Sequence, residues 1–207
     1  MPTPLHETQI IVLLKAPRPG LAKTRLAAAI GDAAALTAYR SLVEFLFERI
    51  ASVTSVQLRF TPADAAAEID HWLKPGWISR PQGDGDLGDR LHSAFRSSRD
   101  EGFAKTIIIG SDCPYLDVAD LEEAALSLDQ YDVAVGPAND GGYWLIGLKD
   151  AHPELFIGID WSTGQVLQQT LDSARRVELK HHLLRTLSDV DTLEDWNAFR
   201  SYPGDRD

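Results

Sequence analysis

The stretch that decides the fold is Thr106–Pro114, which reads TIIIGSDCP. Its three consecutive β-branched residues, Ile107–Ile109, are typical of a strand that is buried on both faces in the middle of a parallel sheet. Gly110 lets the chain leave the sheet, and Pro114 prevents further ladder pairing. Asp112 therefore follows the carboxyl end of a central strand, which is the edge where open α/β sheets bind their ligands.

Asp112 has two interpretations at that edge. A carboxylate beside a phosphate-bearing substrate is placed to hold a divalent cation, because Mg²⁺ and Mn²⁺ prefer oxygen ligands. A carboxylate just after a strand can equally cap a turn. The stretch by itself leaves both roles open.

Strand and helix patterns alternate on either side of this stretch. Further strands are predicted at Thr8–Lys15, Ser55–Thr61, Trp77–Pro81, Asp132–Pro137, Tyr143–Leu148 and Val177–Leu184. Helices are predicted at Lys23–Ala29, Asp32–Ala51, Pro62–Leu73, Leu87–Glu101, Leu121–Leu128 (capped by Asp117), from Trp161-Ser162-Thr163 to Arg175, and at Thr192–Arg200. This order predicts one α/β domain over residues 1–207, with a mainly parallel sheet flanked by helices.

Composition narrows the functional classes. The net charge of −11 over 207 residues argues against general binding to nucleic acid or to an anionic membrane. No apolar run approaches transmembrane length, and the first residues lack the pattern of a secretory signal. The single cysteine, Cys113, cannot form an internal disulfide, which fits a reducing compartment. We therefore expect a cytoplasmic protein that binds neither nucleic acid nor membrane.

The first loop reverses the sign of the charge. Between Thr8 and Gly31 there is no acidic residue, and there are four basic ones: Lys15, Arg18, Lys23 and Arg25. The loop Ala16–Gly20 contains two prolines and a glycine, so a strand, a loop and a helix start carry these cations together. Such a setting favours a seat for a di- or triphosphate. A solvated basic patch is the alternative, and the loop is not a Walker A motif because it lacks the terminal Gly-Lys-Ser/Thr.

A glycine-rich stretch follows the third predicted strand. Residues 82–88 read QGDGDLG, which formally contains G-x-G-x-x-G. A dinucleotide site is rejected, because Asp84 and Asp86 would repel a pyrophosphate and the lone pattern is weak. Recognition of a nucleobase or sugar hydroxyls by Gln82 and the backbone of Gly83 fits better, with a plain turn as the alternative. Arg90 is a candidate second phosphate contact.

Two more stretches are rich in candidate site residues. In Asn139–Trp144 the adjacent Gly141 and Gly142 let backbone approach a ligand, and Asp140 offers a carboxylate to a hydroxyl or a metal. The same residues are typical of a hairpin turn, and the two roles are compatible.

The other stretch lies near the carboxyl end. Asp189 and Asp191 stand two apart, so in an extended segment they share a face and both could approach a metal held by Asp112. Asp191 could instead cap the helix that follows.

Together these stretches resemble the GT-A-fold transferases over nearly the whole chain. The pattern is most similar to an uncharacterised bacterial glycosyltransferase-like family found beside radical-SAM or selenoprotein-associated genes. It is carried by KAPRPGLAKTR at 15–25, GDLGDR at 85–90, GSDCP at 110–114, DGGYW at 140–144 and DVDT at 189–192. More distantly, the chain resembles the guanylyltransferases that build molybdopterin dinucleotide and phospholactyl cofactors.

The resemblance implies a three-layer, Rossmann-like fold and a set of roles. It implies that Lys15, Arg18, Lys23 and Arg25, with Gly20 in their loop, hold nucleotide phosphates. It also implies that Asp112, together with Asp189 and Asp191, binds Mg²⁺ or Mn²⁺. Asp112 and Asp140 are the candidate catalytic residues.

Three functions remain open on these residues. The favoured one is metal-dependent glycosyl transfer from a nucleotide-sugar to a small-molecule acceptor. Many glycosyltransferases carry Asp-x-Asp at the metal strand, whereas Asp112 precedes Cys113-Pro114, so nucleotidyl transfer from a nucleoside triphosphate is the alternative. A non-catalytic nucleotide-binding regulator is the third. A cysteine nucleophile at Cys113 is not favoured, since no histidine lies nearby in the sequence.

Overall fold

A seven-stranded sheet forms the centre of the computed structural model, which describes residues 5–202. Its strands are β1 (Thr8–Lys15), β2 (Val56–Thr61), β3 (Ile78–Pro81), β4 (Lys105–Gly110), β5 (Val133–Pro137), β6 (Tyr143–Leu148) and β7 (His181–Leu183). They lie in the order β3-β2-β1-β4-β6-β5-β7. β6 runs antiparallel to both of its neighbours, and the other pairings are parallel. The predicted α/β class with a mainly parallel sheet is confirmed.

Helices cover both faces of the sheet. They are α1 (Thr24–Ile30), α2 (Asp32–Arg49), α3 (Ala66–Ile69), α4 (Leu87–Asp100), α5 (Val118–Ser127), α6 (Val166–Arg176) and α7 (Leu193–Arg200), with 3-10 turns at Asp70–Trp72 and Pro153–Leu155. Successive side chains of β1 and β4 point to opposite faces, because the period of a strand is two. Ile10 and Ile107 pack with α2 and α5, whereas Ile11 and Ile108 pack with α4 and α6.

The segments in which the sequence predicts site residues lie together at one edge of the sheet. Lys15 at the end of β1 pairs with Thr61 at the end of β2, and Leu13 pairs with Gly110 at the end of β4. Because β6 is antiparallel, it starts at this same edge with Tyr143. The carboxyl ends of three parallel strands and the hairpin before β6 therefore meet around one space.

Three details of the predicted elements are wrong. The helix predicted from Pro62 begins only at Ala66, after a turn closed by a hydrogen bond from the Ala65 amide to the Pro62 carbonyl. β7 is three residues long rather than eight. Leu87 opens the predicted helix Leu87–Glu101, and its apolar side chain would be expected on the buried face; it is instead 40% exposed, because it lies in the first turn of α4 at the open edge of the sheet.

Within residues 5–202, no helix has both the length and the apolar character that crossing a membrane requires.

Candidate functional site

A cavity of about 680 Å³ opens at the carboxyl edge of the sheet. Its walls come from the loop after β1, the turn after β4, the hairpin before β6, the start of α4, the segment 161–166 and the segment 189–191. A space of this size is in the usual range for a small-molecule site. The cavity is therefore the candidate functional site.

Lys23 lies at the centre of the charged part of this cavity. Its backbone has a φ of +54°, a left-handed conformation that is uncommon for a side chain other than glycine, asparagine or aspartate. Its side chain is only 1% exposed, and its Nζ lies 2.9 Å from Oδ1 of Asp112 and 2.9 Å from Oδ1 of Asp191. Burial lowers the pKa of Lys23, but the two carboxylates outweigh it and the net shift is upward. One ammonium thus joins two carboxylates from distant parts of the chain.

Backbone pairing brings those two carboxylates together. The Val190 amide donates to the Asp112 carbonyl at 3.0 Å, so the segment 189–191 runs beside the turn after β4. The alternative that Asp191 caps α7 is wrong, because Thr192 is the capping residue and its Oγ1 accepts from the Asp195 amide. The carboxylate of Asp191 instead contacts Lys23 and, through Oδ2, the Arg25 Nη2 at 2.6 Å.

Asp189 is the third carboxylate of this group. Burial and the charges of Asp112, Asp140 and Asp191 together raise its pKa to about 7, against the opposing effect of Lys23. Four carboxylates therefore line one part of the cavity, and their mutual repulsion requires cations nearby.

These oxygens suit a divalent cation in kind. Mg²⁺ usually takes one or two carboxylates and completes its shell with phosphate oxygens and water. Asp112 and Asp191 supply two carboxylates, so the donor set fits. Across residues 5–202, however, no group of three or more His, Cys, Asp or Glu side chains is arranged to hold a metal ion by itself. The metal roles of Asp112, Asp189 and Asp191 stay predictions.

The four cations of the first loop have different positions. Lys15 is exposed and lines the cavity, and its backbone N–H and carbonyl both bond to the Tyr39 hydroxyl at 3.0 and 2.8 Å. The Arg25 side chain is 69% exposed and lines the cavity as well. Arg18 lies outside the lining, where its guanidinium donates to Asp64 and Glu68. Arg18 therefore ties the loop down.

Gly20 also lies outside the lining of the cavity, beyond Arg18 in the same loop, with a φ of +78°. Three of the four cations of the first loop thus line the cavity, and Gly20 shapes the turn. The phosphate-binding role of this loop stays a prediction.

Gln82 and Arg90 line the cavity as one unit. The buried Gln82 amide donates through Nε2 to the carbonyls of Leu14 and Arg59, and its Oε1 accepts from the Arg90 Nη1 at 3.3 Å. Gln82 thereby braces Arg90, and its side-chain polar atoms all have partners within the protein. Gly83 is not in the lining.

The start of α4 leaves little for a dinucleotide to bind. The Asp89 amide donates to Asp86, and the Asp86 amide donates to Asp89, which together form a capping box. Because the helix caps itself with carboxylates, two of the amides at its start are already paired and negative charge lies beside them. This geometry agrees with rejecting the G-x-G-x-x-G interpretation.

The turn before β6 is both a hairpin and part of the site. Asp140 and Gly142 line the cavity, and the Gly142 amide donates to Oδ1 of Asp140 at 2.9 Å. Gly141 lies just behind the lining with a φ of +86°, and an added Cβ would come within 2.3 Å of the Gly164 carbonyl oxygen. Gly141 therefore lets the segment around Gly164 close the far side of the cavity.

Sequence reasoning missed several lining residues. Tyr39 fits the apolar period of α2, and nothing in that period shows that its hydroxyl holds the start of the loop. Trp161, Thr163 and Gly164 also line the cavity. The signal available for them was the short polar and glycine-containing run Trp161–Gly164 between two apolar segments.

The geometry also bears on Cys113. Its side chain is fully buried, and burial together with the charge of Asp189 raises its pKa to about 12. A buried thiol that stays protonated at neutral pH is a poor nucleophile.

Comparison with known proteins places the chain in a family. Residues 48–163 match the bacterial family described as "Uncharacterized protein conserved in bacteria (DUF2064)". The chain belongs to this family. No curated protein matches it significantly.

Solved structures extend the comparison. A crystal structure from Desulfovibrio desulfuricans G20, named as a candidate nucleotide-diphospho-sugar transferase, is 33% identical to this DUF2064 member. It superposes with a TM-score of 0.89 over 97% of this chain and 89% of the other.

More distant structures share the fold. The inositol-1-phosphate CTP transferase from T. maritima is 14% identical, with 91% of each chain covered and a TM-score of 0.57. Molybdopterin-guanine dinucleotide biosynthesis protein A from Archaeoglobus fulgidus is 12% identical, with 92% and 96% covered and a TM-score of 0.53.

Proposed function

We propose that this DUF2064 member is a metal-dependent transferase that uses an activated nucleotide, and that it transfers a glycosyl group from a nucleotide-sugar. The observation that carries the proposal is the convergence of Lys15 and Arg25 with Asp112 and Asp191 on one cavity at the carboxyl edge of the sheet. Cations beside oxygen ligands for a metal are the combination that a nucleotide diphosphate requires.

Each charged group has a task in this proposal. The exposed cations Lys15 and Arg25 bind phosphate oxygens, with Arg90 as a further contact braced by Gln82. Asp112 and Asp191 would hold the divalent cation, which would supply positive charge beside the diphosphate leaving group. Asp140 lies in the hairpin turn at the cavity wall, where it can accept a proton from or orient an acceptor hydroxyl.

The apolar part of the cavity suits an acceptor. Its wall comes from Leu91 of α4, Ile146 of β6, Trp161 in the segment before α6 and Val166 at the start of α6. An apolar wall with an aromatic ring fits the face of a neutral acceptor better than it fits a second polyanion. This contrast favours an alcohol acceptor, and with it glycosyl transfer.

Nucleotidyl transfer is the second candidate. It is favoured by the single carboxylate, Asp112, after β4, where many glycosyltransferases carry two. In that reaction an acceptor oxygen attacks the α-phosphorus of a nucleoside triphosphate, the bond from that phosphorus to the β-phosphate bridge oxygen breaks, and pyrophosphate leaves.

Product analysis separates the candidates. The protein is incubated with Mn²⁺ and panels of nucleotide-sugars, nucleoside triphosphates and neutral or phosphorylated acceptors. Release of a nucleoside diphosphate is the expected result, and it must disappear in Asp112→Asn. Release of pyrophosphate instead establishes nucleotidyl transfer. Tight nucleotide binding without turnover of any pair establishes a non-catalytic binding protein.

A further inference from the structure

We propose that Lys23 is a resident cation that occupies, in the nucleotide-free protein, the place between Asp112 and Asp191 that a divalent cation must enter. This inference rests on the proposed function, since it explains how the site accepts its metal. It changes the role of Lys23 from a phosphate ligand that is always available to a counter-ion that the metal displaces.

Lys23 pairs with both carboxylates at once. Its Nζ lies 2.9 Å from one oxygen of each carboxylate, Oδ1 of Asp112 and Oδ1 of Asp191. A divalent cation held by both carboxylates would compete with the Lys23 ammonium for these oxygens, because Oδ2 of Asp191 already contacts Arg25. Two cations at one position repel each other, so binding of the metal and pairing of Lys23 are mutually exclusive.

Lys23 and Arg25 differ in how far a ligand can reach them. The Lys23 side chain is 1% exposed, whereas the Arg25 side chain is 69% exposed. A phosphate group can therefore reach Arg25 in this state, and it cannot reach Lys23. Lys23 meets a phosphate only after its ammonium has left the two carboxylates.

The backbone of Lys23 has an unusual conformation. Lys23 holds a left-handed conformation directly before α1, and the helix is anchored by the fully buried Leu26. A strained left-handed conformation in a side chain of this kind is kept only where the surroundings impose it. The start of α1 is thus built to aim Lys23 at the carboxylates.

The charges facing Lys23 explain why a placeholder is needed. Asp112, Asp140, Asp189 and Asp191 all line this part of the cavity, and of these four Arg25 pairs with Asp191. Without Lys23, Asp112 and Asp191 would repel each other across the space where the metal enters. Lys23 keeps the two carboxylates in place until a stronger cation arrives with the nucleotide.

Binding of Mn²⁺ alone to the nucleotide-free protein tests the proposal. Free Mn²⁺ is measured by electron paramagnetic resonance during titration of the wild type, Lys23→Met, Lys15→Met and Arg25→Ala. Each variant removes one positive charge, so general electrostatics is matched. Lys23→Met is expected to bind Mn²⁺ at least about tenfold more tightly than the wild type, in the range of common coupling between sites. Lys15→Met and Arg25→Ala are expected to gain no more than about a third of that factor.

Contrary results are equally defined. Equal or weaker Mn²⁺ binding by Lys23→Met overturns the proposal. Lys23 then does not compete with Mn²⁺ for Asp112 and Asp191. A gain of the same size in Lys15→Met also overturns it, since the effect is then general charge.

A second measurement needs no variant and decides the matter if Lys23→Met does not fold. The acetylation rate of each lysine in the wild type is followed by mass spectrometry. Lys23 is expected to react far more slowly than the exposed Lys15, and millimolar Mn²⁺ is expected to raise the Lys23 rate selectively. An unchanged Lys23 rate at saturating Mn²⁺ overturns the proposal. The proposed function fails separately, if neither nucleotides nor nucleotide-sugars bind.

Discussion

At the scale of single residues, partners decide what each cation of the first loop does. Arg18 and Arg25 have the same side chain and lie seven positions apart in one acid-free stretch. Arg18 donates to two carboxylates outside the cavity, whereas Arg25 is exposed at its wall and contacts Asp191. Of these two arginines, Arg25 can therefore bind an incoming phosphate, whereas Arg18 would first have to give up the ion pairs that hold the loop.

Replacement of Arg25 tests this division. Arg25→Ala is expected to weaken binding of a nucleoside diphosphate by about 1.5–3 kcal/mol, the contribution of a charge-assisted hydrogen bond. Its melting temperature should change little, because exposed ion pairs contribute little to stability. Isothermal titration calorimetry measures the affinity, with Arg96→Ala on the exposed face of α4 as the charge-matched control. Unchanged affinity in Arg25→Ala would remove the loop from the nucleotide site.

Gly141 is the residue on which the closure of the cavity depends. Gly141→Ala would place a Cβ 2.3 Å from the Gly164 carbonyl oxygen, far closer than ordinary van der Waals contact. The residue also has a left-handed φ of +86°. Overpacking of this kind costs about 1–3 kcal/mol beyond the strain of the conformation itself. The matched control is Gly102→Ala, which has a φ of +92° and open space around the added Cβ. Urea denaturation should give a lower free energy of unfolding for Gly141→Ala than for the control. Equal free energies would mean that the segment around Gly164 moves away freely.

At the scale of elements, the last strand is attached to the sheet by a small number of contacts. β7 pairs with β5 through three residues, and the Asp132 carboxylate accepts from the Lys180 amide at 3.0 Å just before β7 begins. That hydrogen bond, followed by the charge of Lys149, lowers the pKa of Asp132 below its ordinary 3.8. Asp132 thus helps to fix where β7 starts.

The pH dependence follows from the direction of this shift. A carboxyl whose pKa is lower in the folded state stabilises the fold above its unfolded pKa, and this stability is lost as the pH falls through the folded value. Asp132→Asn is therefore expected to be less stable than the wild type at pH 7, by under about 1 kcal/mol because the group is partly exposed.

Chemical denaturation at pH 7 and at pH 3 checks this prediction. The difference between Asp132→Asn and the wild type should shrink at pH 3, because this is below the ordinary pKa of 3.8 and the unfolded carboxyl is then mostly protonated. Asp84→Asn, in an exposed loop, is the control for a lost charge. A difference that persists unchanged at pH 3 would show that the carboxylate charge is not the cause.

The sequence predicts the elements far better than it predicts their partners. The bounds of β1 follow from an apolar run that ends at two prolines and a glycine, and the cap of α5 at Asp117 follows from local chemistry. Both signals lie within a few residues of what they determine. The partners of Arg18 are 46 and 50 residues away, and Asp191 is 168 residues from Lys23. Contacts over such distances depend on the packed fold, and no local pattern encodes them.

At the scale of the whole molecule, charge is divided between the surface and the site. The chain carries a net charge of −11, so a nucleotide meets an acidic protein overall. The cavity adds carboxylates at Asp112, Asp140, Asp189 and Asp191 to its cations. A polyanion is expected to bind such a site well only when a divalent cation accompanies it. Metal and nucleotide should therefore enhance the binding of each other, since each supplies ligands or charge that the other needs.

The most direct test of this account is a calorimetric titration of a nucleoside diphosphate into the wild type and into Asp112→Asn, with and without Mn²⁺. Asp112→Asn keeps the size of the side chain and removes its charge, and a preserved circular dichroism spectrum controls for folding. The account predicts that Mn²⁺ tightens nucleotide binding by the wild type and that Asp112→Asn loses this gain. Retention of the full gain in Asp112→Asn would contradict it and would make Asp112 a turn residue only.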